Sequence, residues 1–346
     1  MDAVSAKEQT LKFIDLFCGI GGFHLAAEEA TRLRGRDAEC VLASDIDPDA
    51  RRSYEANFGI KPAGDIRKIS ADHVPDHDVL FAGFPCQPFS IIGEMRGFED
   101  TRGTLFFEIA RLLVEKRPKA FVLENVKMLA GHDKGRTLRV ILQTLRELGY
   151  YTDYRVLNAL DFGLPQKRER VFIVGFSEPM PFLWPRGGLK RQPLADILQP
   201  DVPDFYRASP HIRKRRQELY DGRKHSEPTI WHENKGGHIS AYPYSCALRA
   251  GASYNYLLVD GERRLTEREM LRLQGFPDAY KIVGNYQTVR KQAGNAVAVP
   301  CVAAVVGAVV DALQGTAPIQ YNESTRDGQP VMLLMDSADL IGVAGA

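Results

Sequence analysis

Short apolar runs and amphipathic helical patterns alternate along the first half of the chain, and this alternation constrains the fold more than any other feature. Apolar residues recur at helical spacing over 105–113 and 138–148. Such alternation is typical of parallel strands that are covered by helices on both faces. We expect an α/β fold with a mostly parallel sheet, whose ligands bind at the carboxyl ends of the strands. The candidate strands are 12–17, 40–45, 78–83, 120–125 and 170–176.

The composition changes after residue 176, which indicates a second region. Within it, 205–225 holds seven Lys or Arg residues against two acids, interleaved with Tyr and Phe. Helical patterning returns after residue 265, and the stretch 296–310 is so apolar that we expect it to pack back on the first domain. The predicted organisation is a discontinuous first domain at 1–185 and 295–346, a smaller, irregular domain at 186–265, and a hinge segment at 266–294.

The overall charge excludes a polybasic, histone-like chain but leaves room for local basic surfaces. The 45 Lys and Arg residues nearly balance the 44 Asp and Glu residues, for a formal charge of +1.

The first residues do not resemble a secretory signal, and the 15 residues of 296–310 are short for a membrane span. Five scattered cysteines without C-x-x-C spacing fit reduced thiols rather than a zinc site. We expect a cytoplasmic protein with no membrane segment and no metal.

A glycine-rich turn follows the first strand, with Phe17, Gly19 and Gly21. Such a turn lets a ligand approach backbone N–H groups at the start of a helix. Asp45 ends the second strand, where a carboxylate suits ribose hydroxyls, and Asp65 is a third acidic candidate. The alternative is a turn that only packs a helix on the sheet. The two acids favour adenosine binding, although the spacing does not separate NAD, and hence an oxidoreductase, from S-adenosylmethionine.

Cys86 lies in the stretch GFPCQPFS, between two prolines and directly after an apolar strand. The prolines restrict the backbone and would hold a nucleophilic thiol at a fixed angle. The alternative is a small buried side chain, which is the ordinary fate of a free cysteine. The stiff, polar loop at the ligand-binding edge favours a reactive thiol. The other four cysteines lie in undistinguished contexts, and we interpret them as structural.

Two further motifs bring charged side chains to the same edge of the sheet. Glu124 ends the fourth strand, where partial desolvation would let it carry a proton and donate to a ring nitrogen. In QKRER, alternation along an extended segment puts Arg168 and Arg170 on one side of the strand. Two guanidiniums that face one pocket suit a carbonyl or a phosphate. The alternatives are a capping glutamate and a solvated run of charges.

Six motifs occur in order along the chain: FCGIGGF, GFPCQPFS, ENV, QKRER, RRLTEREMLRLQGFP and GNAVAVP. This series resembles the DNA (cytosine-5)-methyltransferase family over 12–185 and 263–310. The resemblance implies a Rossmann-like S-adenosylmethionine-dependent methyltransferase domain, with 186–265 as a target-recognition domain. It also implies methyl transfer from S-adenosyl-L-methionine, which leaves as S-adenosyl-L-homocysteine, to C5 of a flipped-out cytosine in duplex DNA. A covalent bond between Cys86 and C6 would activate the base.

The resemblance further implies roles for single residues. Cys86 would be the nucleophile, Glu124 would engage N3 and N4 of cytosine, and Arg168 would bind its O2. Arg170 would brace the loop that carries Cys86. The residues that the resemblance implies in cofactor binding are Phe17, Gly19, Gly21, Asp45, Ile46, Asp65, Ile66, Pro85, Leu105 and Asn295.

Contacts with DNA are expected from the loop after Cys86 and from the basic run. For the cluster at 213–216, the alternative is a solvated helix face, and phosphate contacts there would position DNA without reading it. The glycine-containing loop 91–103 is a candidate lid over flipped DNA. The individual DNA-binding candidates are Gln87, Ser90, Arg102, Arg213 and Arg215.

The resemblance also implies a setting for the enzyme. We expect a monomer in the bacterial cytosol, associated with the nucleoid through double-stranded DNA. It would be the modification half of a restriction–modification pair, whose companion endonuclease acts on the same site without stable binding. One alternative is a transfer-RNA methyltransferase of the same fold, although its relatives usually have a second proline where Phe84 stands. The other is a DNA-binding regulator, against which Cys86, Glu124 and Arg168 argue. No role is assigned to 319–346.

Overall fold

Four parallel strands form the centre of the molecule in the computed structural model, which describes residues 10–85, 105–220 and 225–316. In spatial order β2-β1-β3-β4, they are β1 (Thr10–Leu16), β2 (Asp37–Ser44), β3 (Val79–Gly83) and β4 (Ala120–Val126). β5 (Tyr151–Asn158) forms the far edge of the sheet. The short strand β6 (Gln166–Lys167) lies outside it, and β7 (Glu169–Phe176) lies between β4 and β5, antiparallel to both. The predicted α/β fold with a mostly parallel sheet is confirmed.

The reversed direction of β7 positions the QKRER motif. Because β7 runs against β4, its first residues lie beside the carboxyl end of β4, and Arg170 pairs in register with Val126. The start of this strand therefore reaches the edge where the parallel strands end. The edge strand β5 was not among the predicted strands, since Asp153 and Arg155 interrupt its apolar residues. Only one side of β5 is paired, so it needs no continuous apolar run.

Helices cover both faces of the sheet, as the alternation predicts. One face packs against α1 (Gly22–Arg32) and the other against α3 (Leu105–Lys116) and α5 (Arg136–Glu147). α2 (Pro48–Phe58) follows β2, and the single turn α4 (Met128–Gly131) follows β4. The two large apolar clusters of the described residues lie one on each side of the sheet. Because helices cover both faces, the carboxyl ends of the strands are the part of this described sheet that stays open to a ligand.

The region after β7 is irregular and contains small sheets. Its helices are α6 (Leu194–Ile197) and α7 (Pro210–Leu219), the second of which lies in the basic run. The antiparallel sheet β11-β8-β9 joins β8 (Ile230–Glu233), β9 (Ile239–Tyr242) and β11 (Leu257–Val259). The fourth strand, β10 (Ser245–Cys246), instead pairs in parallel with β6. This pairing connects the irregular region directly to the QKRER motif.

The last helices return to the first domain. They are α8 (Glu267–Leu273), α9 (Tyr286–Asn295) and α10 (Val299–Leu313). α10 packs against α1, where Arg34 donates two hydrogen bonds of 2.6 Å to the carboxylate of Asp311. The stretch Tyr286–Leu313 is apolar and long enough to span a membrane, but most of it is buried in the protein, as in a core helix. The domain boundaries at 186, 265 and 295 stay predictions.

Candidate active site

A cavity of about 690 Å³ opens at the carboxyl ends of β1 to β4. The glycine turn after β1 forms one wall, with positive φ angles of 55° at Phe17, 54° at Gly19 and 82° at Gly21. A Cβ atom on Gly21 would lie 2.2 Å from the ring of Phe58, so glycine is required there for packing as well as for the turn. Gly21 shapes the turn, whereas Phe17 and Gly19 line the cavity.

Asp45 connects the second strand to the glycine turn. Its carboxylate accepts hydrogen bonds of 2.8 Å from the backbone N–H groups of Gly19 and Asp47. Burial raises the pKa of Asp45 from its ordinary value of 3.8, although both N–H groups oppose the shift. The side chain lines the cavity and fixes the turn at the same time.

The next cavity wall combines apolar and acidic side chains. Ile46 is 68% exposed, which is unusual for an apolar residue and leaves its side chain available to a flat ligand. Ile66 is buried at the cavity floor. The carboxylate of Asp65 accepts hydrogen bonds from Arg67, which lowers the pKa of Asp65. A ligand that uses Asp65 must therefore share it with Arg67.

Three more of the residues implied in cofactor binding lie in the cavity wall, namely Pro85, Leu105 and Asn295. Asn295 ends α9 and so returns to the site from the far end of the chain. Lys291, one helical turn earlier, forms a 2.7 Å ion pair with Asp47 across the cavity rim. Lys291 could not be predicted from the sequence, because a lone lysine in a polar helix gives no signal.

Glu124 lies at the end of the cavity opposite Asp45. It is 8% exposed on β4, and its Oε1 lies 2.9 Å from Nε of Arg170, in an ion pair without hydrogen-bond alignment. Burial raises the pKa of Glu124, while Arg170 and Arg168 oppose that shift. Asn125 donates a 2.9 Å hydrogen bond to the carbonyl of Phe84 and so anchors the segment that leads to Cys86. Glu124 is thus placed to carry a proton in the cavity.

Arg168 is almost fully buried and is held by main-chain carbonyls. Nη1 donates to Leu248 at 3.1 Å, and Nη2 donates to Gly294 and Ala296 at 3.3 and 2.5 Å. Burial and the neighbouring Arg170 lower the pKa of Arg168 to about 9. Both arginines line the cavity, as the alternation in QKRER predicts. Arg168, however, is bound to the protein at both Nη atoms, whereas Arg170 lies beside Glu124.

A buried pair of glutamines supports this arrangement, although the sequence predicts no role for either of them. Gln166 accepts a 2.9 Å hydrogen bond from the N–H of Leu248 and donates to the carbonyl of Leu273 at 2.7 Å. It also donates to Gln274 at 3.1 Å, and Gln274 donates to the carbonyl of Ala293 at 2.6 Å. Both glutamines belong to motifs that carry the family resemblance. Their burial follows from tertiary packing that the motifs alone do not reveal.

The expected DNA contacts fall into two groups. Cys86, Gln87, Ser90 and Arg102, with the lid candidate 91–103, lie outside the described residues. Arg213 and Arg215 lie on α7 and each has a carboxylate partner, at 2.8 Å to Glu262 and 3.0 Å to Glu233 respectively. Neighbouring Arg216 is buried and also contacts Glu233. Within the described part of the basic run, three arginines therefore share two glutamates.

The fold and site define an α/β protein with a nucleotide-sized cleft at the strand ends, next to a buried carboxyl and two guanidiniums. The chain matches the C-5 cytosine-specific DNA methylase family over residues 11–235 and 205–311, and it belongs to that family. It is 56% identical to the Type II methyltransferase M.NgoBI of Neisseria gonorrhoeae over 295 residues, which are 85% of this chain and 91% of the relative.

Two further comparisons concern a second relative and the fold. The Type II methyltransferase M.HaeII of Haemophilus aegyptius is 52% identical over 304 residues, which cover 87% of this chain and 93% of the relative. A putative DNA modification methyltransferase encoded within a prophage in E. coli has a TM-score of 0.66, with 88% of this chain and 99% of that chain covered. Its sequence identity is only 18%, so this likeness shows the fold alone.

Proposed function

We propose that the protein transfers a methyl group from S-adenosyl-L-methionine to C5 of a cytosine in a specific duplex DNA sequence. The observation that carries the proposal is the position of Glu124, a buried carboxyl with a raised pKa, beside Arg170 in a cavity that also contains the glycine turn. One end of the cavity suits a nucleoside and the other suits a pyrimidine base. Membership of the C-5 cytosine-specific family supports the same reaction.

The cavity fits S-adenosyl-L-methionine at its glycine-turn end. Its volume of about 690 Å³ is in the range of small-molecule sites. The Asp45 carboxylate suits ribose hydroxyls, and the exposed side chain of Ile46 suits the face of an adenine ring. A Cβ atom added to Gly19 would have no neighbour within 4 Å among the described residues, so a ligand can approach the backbone closely there. S-adenosyl-L-methionine supplies an electrophilic methyl group when it is bound.

The protein's own residues must make C5 of cytosine nucleophilic. Addition of the Cys86 thiolate to C6 breaks the C5–C6 double bond, and a proton from Glu124 to N3 takes up the negative charge. The raised pKa of Glu124 keeps that proton available nearer neutral pH. Loss of the C5 proton to solvent after methylation then lets Cys86 leave as the thiolate and restores the C5–C6 double bond, and N3 returns its proton to Glu124. The target base is inaccessible in a stacked duplex and has to be flipped into the cavity.

The geometry favours Arg170 over Arg168 as the guanidinium that meets O2 of cytosine. Both Nη atoms of Arg168 donate to backbone carbonyls of distant segments, whereas Arg170 donates through Nη1 to the carbonyl of its neighbour Glu169, so we assign Arg168 to positioning. Arg170 lies next to Glu124 and is the more exposed of the two. This assignment reverses the roles that the family resemblance implies.

The names of the relatives support a biological setting. M.NgoBI and M.HaeII are Type II methyltransferases of bacteria, and we infer that this chain likewise modifies DNA in a restriction–modification system. The inferred location is the bacterial cytosol, with the enzyme acting as a monomer. A companion endonuclease would share the recognition sequence without stable binding.

Bisulfite sequencing of an unmethylated plasmid tests the proposal. After incubation with the protein and S-adenosyl-L-methionine, we expect protected cytosines at one short recurring sequence. Cys86→Ser is the matched control, and it should protect none. Transfer RNA is treated in parallel. Protected cytosines in the transfer RNA but not in the plasmid would favour the RNA methyltransferase alternative and contradict the proposal. Binding of DNA without protection would favour the regulator.

A further inference from the structure

Three exposed cations near the cavity differ from the basic cluster on α7. Lys167, Arg191 and Arg249 are exposed and form no ion pair with any carboxylate in the described ranges. Arg213 and Arg215, in contrast, each contact a glutamate. A cation that already has a carboxylate partner gains less from a phosphate than a free one does. The free cations are therefore the better candidates for nucleic-acid contacts.

The three cations lie around one short strand. β10 pairs with β6 so that Cys246 stands beside Lys167. Arg249 follows Cys246 by three residues, and the positive charges of Lys167 and Arg249 oppose the rise that burial causes in the pKa of the Cys246 thiol. Arg191 reaches the same strand from 186–191, a wholly exposed segment with three cations and no acid.

Two tyrosines hold Arg191 in place on this surface. The rings of Tyr242 and Tyr244 stack with centroids 5.0 Å apart and an angle of 14° between their planes. The guanidinium of Arg191 lies 5.3 Å from the centroid of the Tyr244 ring. A cation–π contact fixes a guanidinium without using its N–H donors, which leaves them free for phosphate oxygens.

The surface adjoins the candidate active site. Lys167 is the chain neighbour of Arg168, which donates to the carbonyl of Leu248, the residue before Arg249. On the cavity side, a Cβ atom added to Gly294 would lie 2.7 Å from the carbonyl carbon of Arg249. Gly294 itself lines the cavity. The backbone of Arg249 and the chain neighbour Lys167 therefore adjoin the residues that form the cavity wall.

We propose that Lys167, Arg191 and Arg249, supported by Tyr242 and Tyr244, form a phosphate-binding surface for the duplex beside the target cytosine. The basic cluster on α7 then serves to hold the irregular region together through Glu233 and Glu262. This inference rests on the proposed function. It names the surface that positions the duplex, and it makes no statement about which bases are read.

The test compares two sets of variants by the salt dependence of DNA binding. One variant combines Lys167→Gln, Arg191→Gln and Arg249→Gln, and the other combines Arg213→Gln and Arg215→Gln. Fluorescence anisotropy with a labelled duplex of mixed sequence is measured between about 50 and 200 mM salt, where each phosphate contact contributes about 0.9 to the logarithmic slope. We expect the triple variant to lose about 2 to 3 in slope, and the double variant to keep the wild-type slope.

Two controls distinguish a failure of this surface from a folding defect and from a failure of the proposed function. Binding of S-adenosyl-L-methionine and the far-UV circular dichroism spectrum should match the wild type in the triple variant, which excludes a folding defect. If the wild type methylates DNA but the triple variant keeps its full slope, or if only the double variant loses slope, the surface is wrong and the proposed function stands. A wild type that neither binds nor methylates DNA contradicts the proposed function itself.

Discussion

The buried glutamine Gln166 offers the sharpest test of how the site is held together. Its side chain is fully buried and makes three hydrogen bonds, to Leu248, Leu273 and Gln274. Leucine has nearly the same size but removes all three bonds. Gln166→Leu leaves at least the N–H of Leu248 and the carbonyl of Leu273 without these partners. Each buried, unsatisfied group costs about 1–3 kcal/mol, so the free energy of unfolding should fall by about 2–6 kcal/mol.

Thermal unfolding measures this effect directly. One kcal/mol shifts the Tm of a large domain by about 2 °C or more, so Gln166→Leu should lower Tm by at least about 4 °C. Gln287→Leu is the matched control, because Gln287 is exposed on α9, and its effect should stay within about 0.5 kcal/mol. We also expect weaker binding of S-adenosyl-L-methionine, since Gln274 supports the segment that ends at Asn295.

A second variant adds a pH signature. In Gln166→Glu, one oxygen can still accept the hydrogen bond from the N–H of Leu248. The amide group that donates to the carbonyl of Leu273 is replaced by a second carboxylate oxygen, which cannot donate when it is ionised. A buried carboxylate has a raised pKa in the folded state, so its contribution to stability is present at low pH and lost as pH rises through that pKa. Gln166→Glu should thus be less destabilised near pH 5 than near pH 8.

Unfolding of Gln166→Leu and Gln287→Leu at the same temperature would refute the role of the network.

Three other predictions concern separate parts of the molecule. Glu124→Gln should lower kcat by about 10²–10⁴-fold while cofactor binding stays near wild type, as measured by methyl transfer and calorimetry. The pKa of Glu124 in the folded protein lies above its ordinary value of 4.5, so the stability that Glu124 contributes is lost as pH rises through the folded pKa. The wild-type Tm should therefore fall over this pH range, and the Glu124→Gln variant should lack that fall. In Gly294→Ala, the added Cβ atom would lie 2.3 Å from a backbone atom of the irregular region, so the free energy of unfolding should fall by about 1–3 kcal/mol in denaturant titration. In Gly251→Ala, the added Cβ atom has no described atom within 4 Å, so the free energy of unfolding should not change. A double-mutant cycle on Arg34 and Asp311 should give a coupling energy of about 0.5–3 kcal/mol, and a value of zero would contradict the docking of α10 on α1.

The sequence predicts the central sheet well because its strands are buried on both faces. β3 and the first four residues of β4 are continuous apolar runs, and β1 is apolar apart from Thr10, Lys12 and Asp15, so the sequence predicts these strands to within a few residues of their ends. β5 carries polar residues because it is an edge strand, and no run of apolar residues marks it. The reversal of β7 leaves no local trace either, since a parallel and an antiparallel buried strand share the same pattern.

The candidate site divides in the same way. The chemistry of a motif can be read from residue types, so Asp45 and Glu124 could be predicted as cavity residues. Which N–H groups of an arginine already have partners depends on carbonyls far away in the chain, and Arg168 donates to Leu248 and Ala296. The partners of the α7 cluster are likewise distant in sequence. Charge runs show where cations are, but not whether a glutamate already neutralises them.

The central claim is that Cys86 adds to C6 of a cytosine that is then methylated at C5, and a trapping experiment tests it most directly. A duplex that carries 5-fluorocytosine at the site mapped by bisulfite sequencing is incubated with the protein and S-adenosyl-L-methionine. Fluorine cannot leave C5 as a proton does, so elimination of the thiolate is blocked. We predict a covalent protein–DNA complex that survives denaturing electrophoresis, with the DNA attached to Cys86 by peptide mass spectrometry, and none with Cys86→Ser. Methylated cytosine without any trapped complex, or a complex through another residue, would contradict the account.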